Sequence, residues 1–152
     1  MMMALAWADP AFRPAPGDEL KLWREATTIF MTSGPGGCEP NGLAVTLKRH
    51  GLAPEIFVSR PGPYFLNTVR QDDQRRVMRL AQEAFRREAE VQSIPVQLAP
   101  LAESALIETL DKDGAAMSAE TYAAPSSEFD RMARFGRDEL RAAVTIRKGR
   151  LQ

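Results

Sequence analysis

Cysteine and histidine are nearly absent from this chain of 152 residues, which contains one of each, Cys38 and His50. A single cysteine excludes an intramolecular disulfide and any zinc site built from several cysteines. A single histidine argues against a histidine-rich metal site, and we expect neither a metal nor a cofactor. Excess charge of either sign is also absent, because 20 basic residues balance 20 acidic ones. The net charge therefore predicts no binding to nucleic acid or to an anionic membrane surface.

Long hydrophobic runs are missing as well. The apolar segment at residues 1–8 has no basic residues before it and stops at Asp9 and Pro10, so we interpret it as a short buried tail and not as a signal peptide. No run approaches the length that spans a bilayer. Hydrophobic residues make up 44% and charged residues 26%, which is typical of a globular protein with one core. We expect a cytoplasmic protein.

The most informative stretch is a glycine-rich turn directly before the cysteine. Glycines tolerate sharp turns and leave main-chain N–H groups free to face a developing oxyanion. A helix is predicted to follow, with Pro40 in its first turn, and a helix N-terminus favours the thiolate form of a nearby cysteine. The sequence therefore predicts a nucleophile at Cys38 and an oxyanion-binding turn that includes Thr32, Ser33, Gly36 and Gly37.

Two other interpretations of this stretch stay open. A free cysteine commonly behaves as a small buried hydrophobic residue. A glycine turn before a helix can also bind phosphate, but the turn lacks the Gly-Lys-Ser/Thr ending of a P-loop and the G-x-G-x-x-G spacing of a dinucleotide-binding fold.

Hydrophobic periodicity predicts a mixture of helices and a few strands. We predict helices over 18–27, 39–50, 72–90, 102–110 and 128–135, strands over 27–31, 55–59 and 142–147, and an extended segment over 91–98. Gly51 is placed to end the second helix, and Asp72 or Asp73 to cap the third. The predicted fold class is α+β. The predicted domain organisation is an extended arm over 1–17, one domain over 18–148, and a tail over 149–152.

The helix over 72–90 has two contrasting predicted faces. Its apolar stripe is predicted to be the buried face and comprises Val77, Leu80, Ala81, Ala84 and Phe85. Its basic face comprises Arg75, Arg76, Arg79, Arg86 and Arg87. We interpret the basic face as a solvated surface, with a basic binding patch as the alternative.

The segment from Gly37 to Ala44, continuing to Leu52, resembles the nucleophile helix of the C39-like peptidases, a bacterial family of papain-like cysteine peptidases. In the branch sometimes fused to an N-acetyltransferase domain, segments similar to residues 22–27 and 128–136 flank the domain. The resemblance implies a shortened papain-like fold, with the nucleophile helix packed on a small antiparallel sheet, and a hydrolase that attacks peptide bonds through Cys38.

The chain departs from the family pattern at three places. Glu39 stands where the family usually has glycine, and a carboxylate beside the sulfur opposes thiolate formation. Thr32 stands where exporter-type members have a glutamine. The family's catalytic histidine lies on a strand well downstream of the cysteine, and no histidine follows His50.

These departures lead to three hypotheses. The first is a pseudoenzyme that binds a peptide or protein in the residual groove. The second is an active cysteine hydrolase or acyl-transfer enzyme whose base is not histidine or comes from a partner. The third is an interaction protein that forms homo-oligomers through an exposed sheet edge.

Overall fold

A computed structural model describes residues 1–27, 38–99 and 140–147, in which three helices precede the first strand and a fourth helix follows it. The helices are α1 (Met2–Ala8), α2 (Pro16–Ala26), α3 (Pro40–Arg49) and α4 (Asp72–Val91), and a short 3-10 turn covers Leu66–Thr68. The strands are β1 (Ala53–Val58), β2 (Val96–Leu98) and β3 (Ala142–Arg147). The α+β class is confirmed.

Helix α3 begins and ends where its sequence predicts. Pro40 occupies the first helical position, where its missing N–H costs nothing. His50 is the C-cap residue, and Gly51 follows with a φ of 82°, a left-handed conformation that glycine adopts without penalty. Helix α2 and strands β1 and β3 also confirm the predicted elements to within a few residues.

The sheet is mixed, in contrast to the antiparallel sheet that the resemblance implied. Its order is β2-β1-β3, with β1 parallel to β2 and antiparallel to β3. The parallel pair has a structural reason: α4 lies between β1 and β2 in the chain, and a helical crossover returns the next strand in the same direction.

Two apolar clusters hold α3 against the sheet. The first combines Ile56 and Val58 of β1 with Ala44 and Val45 of α3, and Tyr64 packs with them. The second cluster joins the N-terminal helices to the other side of α3 and comprises Leu5, Leu22, Leu47 and Leu52. Helix α3 is therefore the central element of the described structure.

The predicted buried face of α4 is right for Phe85, which packs against the first apolar cluster, and wrong for Val77 and Leu80. Val77 and Leu80 are 48% and 58% exposed, whereas Gln82 and Ala89 are 4% and 1% exposed. The buried face of α4 is rotated about the helix axis from the predicted apolar stripe by about 100°, which is the angle between consecutive helical residues. The reason is a polar contact, because the Gln82 side chain bonds to the main chain of a neighbouring loop.

The basic face of α4 forms local ion pairs, as expected of a solvated surface. Arg75 pairs with Asp72, and Arg86 and Arg87 pair with Glu90 and Glu83, at spacings of three or four residues. Such exposed pairs contribute only about 0.3–0.5 kcal/mol each. The N-cap residue of α4 differs from the prediction, because it is Gln71 and not Asp72 or Asp73.

The N-terminal segment is helical where an extended arm was expected. Residues 2–8 form α1, whose Leu5 is buried in the second apolar cluster. The division into 1–17, 18–148 and 149–152 stays a prediction. No helix within the described ranges is both long and apolar enough to span a membrane. The predicted strand over 27–31, beyond Thr27, and the helices over 102–110 and 128–135 lie outside the described residues.

Candidate functional site

Cys38 lies where the end of α2 meets the start of α3. It forms an isolated antiparallel bridge with Thr27, the residue that follows α2. The Thr27 hydroxyl donates to the Trp23 carbonyl at 2.6 Å, and its oxygen is 4.0 Å from the Cys38 sulfur. The cysteine is half-buried and precedes the N-cap residue of α3. The role of Cys38 as a nucleophile stays a prediction.

Glu39 caps α3 with its own side chain. Its Oε1 accepts a hydrogen bond from the Gly42 N–H at 2.6 Å. Its Oε2 accepts from the Asn41 N–H at 3.1 Å and from the Asn41 Nδ2 at 2.9 Å. Only 2% of Glu39 is exposed. Burial raises the pKa of Glu39, and the three donor groups of Asn41 and Gly42 partly offset this rise because they replace part of the lost hydration of the carboxylate.

The surroundings of Cys38 favour the neutral thiol. Burial raises the pKa of Cys38. The Thr27 hydroxyl and the positive amino group of Met1 partly offset this rise, and the charge of Glu39 adds to it. The net direction is therefore opposite to the lowering that was expected from the helix N-terminus. Opposition from Glu39 acts in the expected direction, but burial has the larger effect.

The only histidine lies at the far end of the helix. His50 is the C-cap residue of α3, and its Nε2 is 2.9 Å from Oε2 of Glu25 on α2. Ten helical residues separate it from the N-cap, and at 1.5 Å per residue they span about 15 Å. Contact between the His50 ring and the Cys38 sulfur is excluded by this distance.

Tyr64 and its neighbours lie close to Glu39. Burial raises the pKa of Tyr64, the Glu39 charge raises it further, and the positive charge of Arg60 lowers it. Tyr64 is 5% exposed and belongs to the first apolar cluster. The Tyr64 ring is therefore part of the core.

The predicted oxyanion turn cannot be compared with the structure. Thr32, Ser33, Gly36 and Gly37 lie outside the described residues. The capping role of Glu39 was missed from the sequence, although a signal was present. An acidic residue directly before a proline and a helical pattern is typical of a helix start.

Two further features bear on the chemistry. Among the described residues, no group of three or more potential metal ligands is close enough to hold an ion. A small cleft of about 200 Å³ is lined mainly by Leu5, Phe12, His50 and Leu52. Cys38 does not line it, so this cleft lies at the end of α3 opposite the thiol.

These features define an α+β protein in which a half-buried thiol lies directly before the central helix α3, and the side chain of Glu39 caps that helix. A family model described as the Peptidase_C39 like family matches residues 1–119, and the chain belongs to that family. The resemblance noted from the sequence is thereby confirmed. No curated protein and no solved structure has a significant match to the chain.

Proposed function

We propose that this chain is a shortened papain-like member of its family that does not hydrolyse peptide bonds and instead binds a peptide or protein segment. The observation that carries the proposal is the position of its only histidine. His50 is bound to Glu25 at the C-terminal end of α3, and Cys38 lies at the other end. A cysteine nucleophile normally depends on an adjacent base for its activation.

The state of the thiol supports the same proposal. A peptidase needs the thiolate, which a lowered pKa or a neighbouring base supplies. Burial raises the pKa of Cys38, and the one described side-chain hydroxyl beside the sulfur, that of Thr27, is itself bonded to the Trp23 carbonyl. Membership of a peptidase-related family supports a groove that accepts an extended chain, and the distance of the only histidine from Cys38 argues against turnover.

A peptide library tests both parts of the proposal. The full chain and a Cys38→Ala variant are incubated with fluorescein-labelled decapeptides of mixed sequence, and cleavage is followed by mass spectrometry. We expect no cleavage above the Cys38→Ala background, because the only histidine lies too far from Cys38 to accept the thiol proton. Binding of selected peptides, measured by fluorescence anisotropy, should be similar for both proteins.

His50→Gln is the matched control for this experiment. It should leave binding and cleavage unchanged, since His50 contacts Glu25 at a distance from the thiol. Cleavage by the parent chain that disappears in Cys38→Ala would overturn the non-hydrolytic part of the proposal. Failure of every peptide to bind would contradict the binding part.

Strand β2 favours a second candidate function, self-association with another copy of this chain. Within the described sheet, β2 pairs with β1 on one side only. Its Val96 and Leu98 are 54% and 68% exposed. An edge strand with exposed apolar side chains is a template for pairing with a further strand.

Light scattering during size-exclusion chromatography tests this association. If β2 forms the interface, the parent chain should show a mass that rises with concentration, and Leu98→Lys should remain a monomer because charge on an edge strand opposes pairing. Leu80→Lys serves as a control at an exposed residue of α4. A monomeric parent chain at every concentration would exclude the association.

A further inference from the structure

The main-chain donors at the start of α3 all have partners within the protein. The first N–H groups of a helix have no partner within the helix and attract anions. Pro40 has no N–H, and the next two N–H groups, of Asn41 and Gly42, bind the Glu39 carboxylate. The Leu43 N–H binds the Glu39 carbonyl at 3.0 Å. One residue therefore uses every first-turn donor.

Close packing seals this arrangement from solvent. A Cβ atom at Gly42 would lie 2.5 Å from the Ala26 carbonyl oxygen and 3.2 Å from the Phe85 ring. The ends of α2 and α3 therefore approach each other without room for an additional group. With Glu39 only 2% exposed, an external anion has no route to the donors that the carboxylate occupies.

We infer that Glu39 is a built-in anion that fills the donor site at the start of α3 and withholds those donors from the Cys38 sulfur and from any ligand oxygen. The position next to the cysteine gives the carboxylate a second effect, since its negative charge opposes a second negative charge on the sulfur. A residue that only capped the helix would stabilise α3 without any influence on the thiol. The reactivity of Cys38 therefore separates the two roles.

The charged and titratable groups around this site are few among the described residues. Cys38 is influenced by Glu39 and by the amino group of Met1. Tyr64 is influenced by Glu39 and by Arg60. Because substitution at residue 39 leaves the other groups in place, a change in the thiol titration reports the carboxylate itself.

The test measures the rate of Cys38 alkylation by iodoacetamide against pH in the full-length chain. The variants are Glu39→Gln, which keeps the size, Glu39→Ser, which keeps an N-cap hydroxyl, and Glu39→Asp, which keeps the charge. The parent thiol should titrate at or above the value of about 8.5 for a free cysteine. In the Gln and Ser variants we expect a lower pKa of Cys38, and hence more thiolate and faster alkylation at neutral pH, because the negative charge beside the sulfur is gone.

Two controls define the outcome. Glu39→Asp and Glu19→Gln, at an exposed site on α2, should retain the parent titration. A parent thiol that titrates well below the free value would overturn the inference without any substitution. The inference would also be overturned if the Glu39→Gln and Glu39→Ser variants kept a helical circular dichroism spectrum and showed the same pH dependence of Cys38 alkylation as the parent chain. This inference does not depend on peptide binding, so the library experiment can fail while the titration result stands.

Discussion

Gly42→Ala should destabilise the protein, although alanine is the better helix former. The added Cβ would meet the Ala26 carbonyl oxygen at 2.5 Å and the Phe85 ring at 3.2 Å. The oxygen belongs to the main chain at the end of α2, so relief requires α2 or α3 to move. Such overpacking costs about 3 kcal/mol, whereas the gain in helix propensity is at most about 1 kcal/mol. The net loss of about 2 kcal/mol predicts a melting temperature lower by roughly 4–8 °C.

Gly17→Ala is the matched control in the neighbouring helix. Gly17 lies in the first turn of α2, and a Cβ atom there has no neighbour within 4 Å. Alanine should therefore raise the free energy of unfolding by about 0.5–1 kcal/mol. Thermal and urea unfolding of both variants measure the contrast. Equal effects of the two alanines would show that α2 and α3 do not approach closely at Gly42.

The same close approach explains why the elements near Cys38 were predictable while the state of the thiol was not. Pro40 and Gly51 mark the ends of α3 through local backbone preferences, which the sequence carries directly. The environment of the thiol depends on how tightly α2 packs against α3. Burial raises the pKa of Cys38, and no local pattern encodes how deeply a side chain is buried.

Two of the errors at the fold level have a common physical cause, since each depends on contacts between distant parts of the chain. The direction of β2 relative to β1 follows from the crossover through α4 and cannot be inferred from a three-residue strand. The orientation of α4 follows from Gln82, which is buried because it bonds to Tyr64. A stripe of apolar residues predicts the buried face only where hydrophobic contacts alone decide it.

Gln82→Met should reveal how strongly that contact orients α4. The Gln82 Oε1 accepts from the Tyr64 N–H at 2.7 Å, and its Nε2 donates to the Tyr64 carbonyl at 2.7 Å. Methionine has a similar shape but leaves both main-chain groups buried without a partner. Each such group costs about 1–3 kcal/mol, so we expect a loss of about 3 kcal/mol in urea unfolding. Gln92→Met, at a half-buried residue bonded to Glu88, should change stability by less than about 1 kcal/mol.

Gln82→Glu adds a pH-dependent form of the same experiment. A protonated carboxyl group can accept from the Tyr64 N–H and donate to the Tyr64 carbonyl, as the amide does, whereas a carboxylate has no proton to donate. The native state should therefore hold this proton more tightly than the unfolded chain, where the pKa is about 4.3. Unfolding then releases a proton, and the stability of the variant relative to the parent falls as the pH rises through the native pKa. Urea midpoints at acidic and neutral pH measure the difference, and a constant gap between variant and parent would show that the Gln82 amide does not hold the Tyr64 main chain.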